Sequence, residues 1–137
     1  MEILRCRTRL AVLWIIRSLI PVLLLLLFFF EPGTIENLME GKFGGRAISG
    51  GFLIGFGAVC WIPWIMAWAV MTLKLSINRW ANTILGSIGA ILFLIAIFSD
   101  INKGLTATLI TYIFGFILHV LITWYGWKLP GEEASPD

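Results

Sequence analysis

The chain has 137 residues, of which 59% are hydrophobic and only 13% are charged, and its net charge is +2 at neutral pH. This composition lies far outside the range of soluble globular domains, and the charges are too few and too scattered to indicate a nucleic-acid partner. The sequence contains no metal-ligand spacing, nucleotide-binding loop or catalytic motif, so it gives no positive indication of a metal site or an enzymatic activity.

Four apolar runs lie at about residues 10–30, 48–73, 80–98 and 105–127. Each has roughly the 20 residues that a helix needs to cross about 30 Å of hydrocarbon. The sequence therefore predicts an all-α membrane protein whose residues 10–129 form an antiparallel bundle of four transmembrane helices. A basic cytoplasmic N-terminus at 1–9 and a disordered tail at 130–137 would flank it. Short connections predict that spans two and three, and spans three and four, are antiparallel neighbours.

Lysine and arginine residues beside the spans predict the orientation in the membrane. If the N-terminus is cytoplasmic, the inner flanks hold Arg5, Arg7, Arg9, Lys74, Arg79 and Lys128, and the outer loops hold Lys42, Arg46 and Lys103. We therefore expect a multi-pass protein of the plasma membrane with both termini in the cytoplasm. An inverted or dual topology is the alternative.

Small residues predict where the helices approach one another closely. Gly51 and Gly55 lie one turn apart in the second span, and Gly86 and Gly89 lie at similar spacing in the third. Faces of this kind let another helix backbone come near. We expect the second span to be the packing hub, and the glycines of the third span to pack on it or on a second copy of the protein.

The long connection after the first span carries the signals of a short helix. Thr34 is placed to cap it, Ile35 and Leu38 would share one side, and Gly41 is placed to end it. We expect an amphipathic helix at the outer mouth of the bundle, with an ordinary ordered loop as the equal alternative.

The tryptophans are concentrated in the cytoplasmic half of the predicted bundle. An interfacial aromatic belt explains Trp14, Trp68, Trp80, Trp124 and Trp127. Trp61 and Trp64 lie deeper and flank Pro63, so they either line a cavity or fill the core.

Two basic side chains lie inside the predicted spans, Arg17 in the first and His119 in the fourth. Helical rise places them at similar depth, on the inner side of the midplane. We hypothesise a pocket in the inner half of the bundle that is lined by Arg17, Trp64, Ser87, His119, Asn82 and Thr123. Such a set suits an anionic or carbonyl-bearing amphiphile, for example a lipid head group or a quinone.

Simpler roles exist for the same residues. Arg17 can extend to the cytoplasmic surface, and the polar side chains can hydrogen-bond one helix to the next. Three functions stay open: a bundle that binds a lipid- or quinone-like amphiphile, an accessory or assembly subunit of a larger membrane complex, and a transporter of a small anion. Membrane lipid is the expected partner, with a homo-oligomer or a larger complex as further options, and no cofactor is expected beyond a bound lipid or quinone.

Three segments carry a family resemblance, namely GGRAISGGFLIGFGAVCWIPWIM, NRWANTILGSIGA and ITWYGWKLP. From about Trp14 to Leu129 the chain resembles a family of small bacterial and archaeal four-span membrane proteins that is DoxX-like in general plan. Residues 78–82 and the Ile62-Pro63 step match best. The resemblance implies a four-helix bundle in the plasma membrane and brings no established activity, although DoxX-like relatives are sometimes associated with quinone or redox chemistry.

Overall fold

The computed structural model describes residues 2–43, 46–103 and 106–131. In chain order the elements are α1 (Glu2–Phe29), α2 (Thr34–Met39), β1 (Lys42–Phe43), β2 (Arg46–Ala47), α3 (Gly50–Thr72), α4 (Leu75–Asp100), a 3₁₀ turn (Ile101–Lys103) and α5 (Ala107–Trp127). Helices α1, α3, α4 and α5 are each long and apolar enough to cross a membrane. The protein is therefore all-helical apart from one short hairpin, and its long helices indicate a multi-pass membrane protein.

The four long helices correspond to the four predicted spans, but two of them begin earlier. Residues 2–9, predicted as a separate basic segment, form the first turns of α1. Helix α4 starts at Leu75 rather than near residue 80. Hydropathy marks only the apolar part of a helix, whereas backbone hydrogen bonding continues into its polar ends. The predicted tail lies, from residue 132 onward, outside the described residues.

Helix α1 is the central helix of the bundle. It packs on α3 and on α5, and α5 packs along the length of α4. Helices α3 and α4 touch only slightly, although Leu73 and Lys74 alone connect them. A short connection brings two helix ends together without fixing the rest of their length. The hub is therefore α1 and not the second span, and α3 and α4 are neighbours only in a limited sense.

The tightest packing lies at one end of the bundle, which we call the basic end, where α1 begins and α3 and α5 finish. Here Arg7 donates from Nη1 and Nη2 to the carbonyl oxygens of Met71 and Leu73, at 3.1 and 2.9 Å. The buried apolar cluster beside it consists of Leu10, Ala11, Trp14, Met66, Ala67, Val70, Leu75, Ile122 and Leu129. These side chains join α1 to α3 and α5.

Glycines allow α4 and α5 to approach closely. A Cβ atom added at any of four glycines would overlap the facing helix, and the pairs are Gly86 with Thr123, Gly89 with His119, Gly115 with Phe93, and Gly126 with Asn82. Residue numbers fall along α5 as they rise along α4. Gly86 and Gly89, predicted from sequence as packing residues, thus lie at a helix contact whose partner is the fourth span.

Gly51 and Gly55 of α3 lie outside the helix contacts. Within the described chain, only Ser49 Oγ, at 3.9 Å from a Cβ added at Gly51, comes within 4 Å of such an atom at either position. Helix α3 instead uses its second half for packing, where Met66 and Val70 are buried. The expected packing of the Gly51 and Gly55 face inside the bundle is therefore wrong for the single chain.

The opposite end, which we call the hairpin end, is closed by the connection after α1. Helix α2 begins after Gly33, whose φ is 81°, and Gly41 follows it at φ 73°. Both glycines adopt the left-handed conformation that other residues disfavour. The predicted loop helix is thus present, although Gly33 rather than Thr34 precedes it, and the following hairpin pairs Phe43 with Arg46.

Candidate functional site

A buried polar network ties three long helices together. Trp14 of α1 donates from Nε1 to Oδ1 of Asn82 on α4 at 2.6 Å. Asn82 donates to the carbonyl oxygen of Asn78 at 2.7 Å, and Asn78 donates to the carbonyl oxygens of Val70 and Leu73 at 3.1 and 3.0 Å. These bonds satisfy donors that are costly to bury alone, whereas Oδ1 of Asn78 is buried and has no hydrogen-bond partner among the described residues. They fix the start of α4 against α1 and the end of α3.

Arg17 and His119 meet next to this network. Nε of Arg17 donates to Nε2 of His119 across 3.5 Å, and Nδ1 of His119 lies 2.9 Å from the carbonyl oxygen of Gly115. The histidine ring stands edge-on to Trp14, with centroids 6.2 Å apart, and contacts Phe93 at 5.2 Å. Packing on three sides holds His119 in place, and His119 in turn positions one edge of the guanidinium.

The guanidinium of Arg17 also carries a buried donor at another nitrogen. Nη1 of Arg17 is buried, and no hydrogen-bond partner for it lies among the described residues. The guanidinium carbon is 5.8 Å from the centroid of the Phe93 ring. Buried Nε atoms of Arg7 and Arg79 are likewise unpaired, but Arg7 is held by two carbonyl groups and Arg79 lies 4.6 Å over Trp127. Arg17 differs because its side chain lines a cavity.

This cavity lies between Arg17 and the hairpin end and is half open to the surface, and its volume is about 150 Å³. Its other lining residues are apolar and come from α1, β1, α3 and α4: Ile20, Pro21, Leu24, Leu25, Phe28, Phe43, Phe56, Val59 and Phe93. At the far end the rings of Phe43 and Phe28 contact each other edge-on, with centroids 5.3 Å apart. An apolar cavity of about 150 Å³ is large enough to bind benzene. The space therefore accepts one six-membered ring or a short stretch of chain.

The six residues of the hypothesised pocket do not converge. Arg17, His119 and Asn82 are linked through Trp14, but of these only Arg17 lines the cavity. Ser87 and Thr123 line a different groove on the outer face of α4 and α5, and Trp64 is 54% exposed. Helical rise predicts depth, but it does not predict the direction in which a side chain points. The cavity also extends from Arg17 toward the hairpin end, not toward the basic end.

The solvent exposure of the tryptophans differs from the sequence prediction. Trp14, assigned to an interfacial belt, is only 2% exposed, whereas Trp61, expected in a cavity or the core, is 68% exposed. Trp68, Trp80, Trp124 and Trp127 have exposed rings, as a belt requires. Leu10, Trp14 and Pro21 share the buried face of α1, but apolar residues on every side of this helix hide that face in the sequence.

The residues present define what the site can do chemically. Among the described residues, no group of three His, Cys, Asp or Glu side chains is placed to hold a metal ion. The cavity offers one cationic hydrogen-bond donor at the end of apolar walls, an arrangement that binds and orients an acceptor group on an apolar body. Comparisons with protein families, with curated proteins and with solved structures gave no match.

Proposed function

We propose that this protein is an antiparallel four-helix membrane bundle that binds an amphiphile with an anionic or carbonyl-bearing head group. The head group would accept a hydrogen bond from Arg17, and the apolar walls would surround the part that follows it. One observation carries the proposal: the buried Nη1 of Arg17 borders an apolar cavity and has no hydrogen-bond partner within the described chain.

The energetics favour a ligand at this position. An arginine inside a spanning helix is costly, and a buried donor without a partner costs about 1–3 kcal/mol. The contact of Nε with His119 and the position of the guanidinium over Phe93 hold the side chain toward the cavity. A bound acceptor would recover the lost hydrogen bond, and a charge-assisted bond of this kind is stronger than a neutral one.

The size of the cavity favours a ring-shaped head group. A volume of about 150 Å³ matches a single six-membered ring, so a quinone-like ring with one carbonyl facing Arg17 is the ligand that we propose first. Its tail would leave between α3 and α4, which contact each other only slightly. The association of DoxX-like proteins with quinones agrees with this choice, but that family resemblance stays a prediction.

We further propose that the bundle lies in the plasma membrane with its basic end toward the cytoplasm. The support is the charge distribution, because Arg5, Arg7, Arg9 and Lys128 all lie at this end. A reporter enzyme fused to residue 137 tests the orientation. Cytoplasmic activity of the reporter is expected, and activity on the outer side would contradict the assignment.

The experiment that tests ligand binding compares two arginines of one helix. Wild-type protein, Arg17→Gln and Arg9→Gln are purified in mild detergent and titrated with a short-chain benzoquinone, and bound quinone is counted by native mass spectrometry. We expect the wild type and Arg9→Gln to bind one quinone per chain, and Arg17→Gln to bind at least tenfold more weakly, since it loses a charge-assisted hydrogen bond of about 1.5–3 kcal/mol. Equal binding by both variants would refute the proposal.

A second function, as an accessory subunit, is favoured by the unoccupied face of α3. Gly51 and Gly55 lie one turn apart, and within the described chain no atom of another long helix comes within 4 Å of a Cβ added at either position. A photocrosslinking amino acid at position 55 would capture a partner in native membranes, and the same group at Ile91, on the outer face of α4, is the control. A discrete adduct at position 55 alone is expected for a subunit, and equal labelling at both positions would count against it.

A further inference from the structure

Two hollows meet at the basic end, along the seam between α1 and α5. Each has a volume of about 640 Å³, and both are lined by Arg5, Arg9 and Tyr125. The first continues to Lys128 at the end of α5. The second continues over apolar side chains, among them Val12 and Leu121. Together they form one groove, which we call the seam groove, with a charged end and an apolar floor.

The charged end of the seam groove is basic. Among the described residues, its charged lining consists of three basic side chains, Arg5, Arg9 and Lys128, and one carboxylate, Glu2. Arg9 lies 5.8 Å over the ring of Tyr125, and Lys128 lies 4.6 Å over the ring of Trp124. A ring engages a cation from one face and leaves its N–H donors available to an anion.

The neighbouring Arg7, at the same end of the bundle, has a structural role. It turns toward α3 and donates to two backbone carbonyls, those of Met71 and Leu73. Arg9, about half a helical turn further on, instead faces the seam between α1 and α5. In contrast, Arg9 and Lys128, which line the seam groove, lie over the rings of Tyr125 and Trp124 on α5.

We propose that the seam groove binds an anionic phospholipid of the surrounding membrane. The phosphate lies between Arg9 and Lys128, where the arginine fork can donate two parallel hydrogen bonds, and one acyl chain follows Val12 and Leu121 along the bundle surface. The continuity of the basic and apolar hollows favours a lipid over a free anion, because an inorganic ion would use only the charged part. This site lies apart from the Arg17 cavity and shares with it only the placement of the bundle in a membrane.

The test measures lipid binding to the purified full chain by native mass spectrometry, with short-chain phosphatidylglycerol, short-chain phosphatidylcholine and inorganic phosphate as probes. Phosphatidylglycerol is expected to bind with one-to-one stoichiometry, and the other two probes at least tenfold more weakly. The double variant Arg9→Gln/Lys128→Gln should weaken phosphatidylglycerol binding by at least tenfold, since each cation near a phosphate contributes about fivefold. Lys74→Gln removes one charge at the same end, outside the seam groove, and should change affinity less than twofold.

A variant that keeps every charge tests whether the acyl chain contributes to binding in addition to the charged head group. Val12→Trp fills the apolar floor at an exposed position, and it should weaken phosphatidylglycerol binding while thermal unfolding stays unchanged. Arg17→Gln should bind the lipid like the wild type. Equal binding of inorganic phosphate or of phosphatidylcholine, unchanged affinity in Val12→Trp, or loss of affinity in Arg17→Gln or Lys74→Gln would each overturn the proposal.

Discussion

Arg17 on α1 and His119 on α5 face each other in the middle of the bundle, with Nε of the arginine 3.5 Å from Nε2 of the histidine. The other ring nitrogen of His119 lies 2.9 Å from the carbonyl oxygen of Gly115. Since a carbonyl oxygen can only accept, these two contacts assign the proton to Nδ1 and leave the lone pair of Nε2 for the guanidinium. Gly115 therefore orients the histidine, and the histidine orients Arg17.

The length of this contact predicts a weak direct coupling between the two side chains. We expect a double-mutant cycle of Arg17→Gln and His119→Ala to give an interaction free energy of about 0.6 kcal/mol, the average for polar pairs between membrane helices. The free energy of unfolding in detergent micelles measures it. A coupling above about 2 kcal/mol would mean that the pair is much closer in solution than 3.5 Å.

Matched glycine substitutions distinguish the two predicted packing faces. An added Cβ at Gly89 overlaps the ring of His119, whereas one at Gly55 meets open space. We expect Gly89→Ala to lower the free energy of unfolding by about 1–3 kcal/mol, because the ring must move in a packed interior. Gly55→Ala should be neutral or should stabilise by up to about 1 kcal/mol, because alanine loses less backbone entropy in a helix.

Thermal unfolding followed by circular dichroism compares these two variants with the wild type. Destabilisation by Gly55→Ala would show that a partner or a second copy covers that face, and the oligomeric state in detergent would then decide which. A neutral Gly89→Ala would contradict the close approach of α4 and α5 at His119.

The bond between Trp14 and Asn82 predicts a cost for removing the indole nitrogen. Trp14→Phe keeps an aromatic ring but leaves Oδ1 of Asn82 buried without its donor at 2.6 Å. We expect a loss of about 1–3 kcal/mol in the free energy of unfolding. Trp64→Phe, at a position that is 54% exposed, should change it by less than about 0.5 kcal/mol. Equal effects of the two substitutions would show that Trp14 does not bridge α1 and α4.

The sequence predicts the number and approximate extent of the long helices, because each apolar run is by itself long enough to identify a membrane-spanning helix. It also indicates that Gly86 and Gly89 lie at a helix contact and that a short helix occurs before Gly41. It does not predict that α1 lies between α3 and α5, since apolar residues surround each helix and leave little amphipathic signal. The exposure of both Gly55 and Trp64, which lie on opposite sides of α3, is unreadable for the same reason.

The candidate site was predictable only in part. A cation inside a span draws attention to Arg17, and its depth pairs it with His119. The cavity itself is built from apolar side chains such as Phe93 and Val59, which are indistinguishable in sequence from lipid-facing ones. Phe43 reaches it from β1, a two-residue strand that pairs with β2. Residues of this kind become recognisable only when the helices are placed.

Filling the cavity tests the proposed ligand site without changing a charge. Val59 is 43% exposed and lines the cavity, whereas Ile54 on the same helix is 75% exposed and does not line it. We expect Val59→Trp to occupy the space beside Arg17 and to weaken the binding of a short-chain benzoquinone by at least tenfold, because a cavity the size of one ring cannot hold an indole and a ligand together. Ile54→Trp adds a side chain of the same kind outside the cavity and should bind the quinone like the wild type. Titration followed by native mass spectrometry measures both affinities, and circular dichroism verifies that both variants are folded. Unchanged affinity in a folded Val59→Trp protein would place the quinone elsewhere and would remove Arg17 from its proposed role.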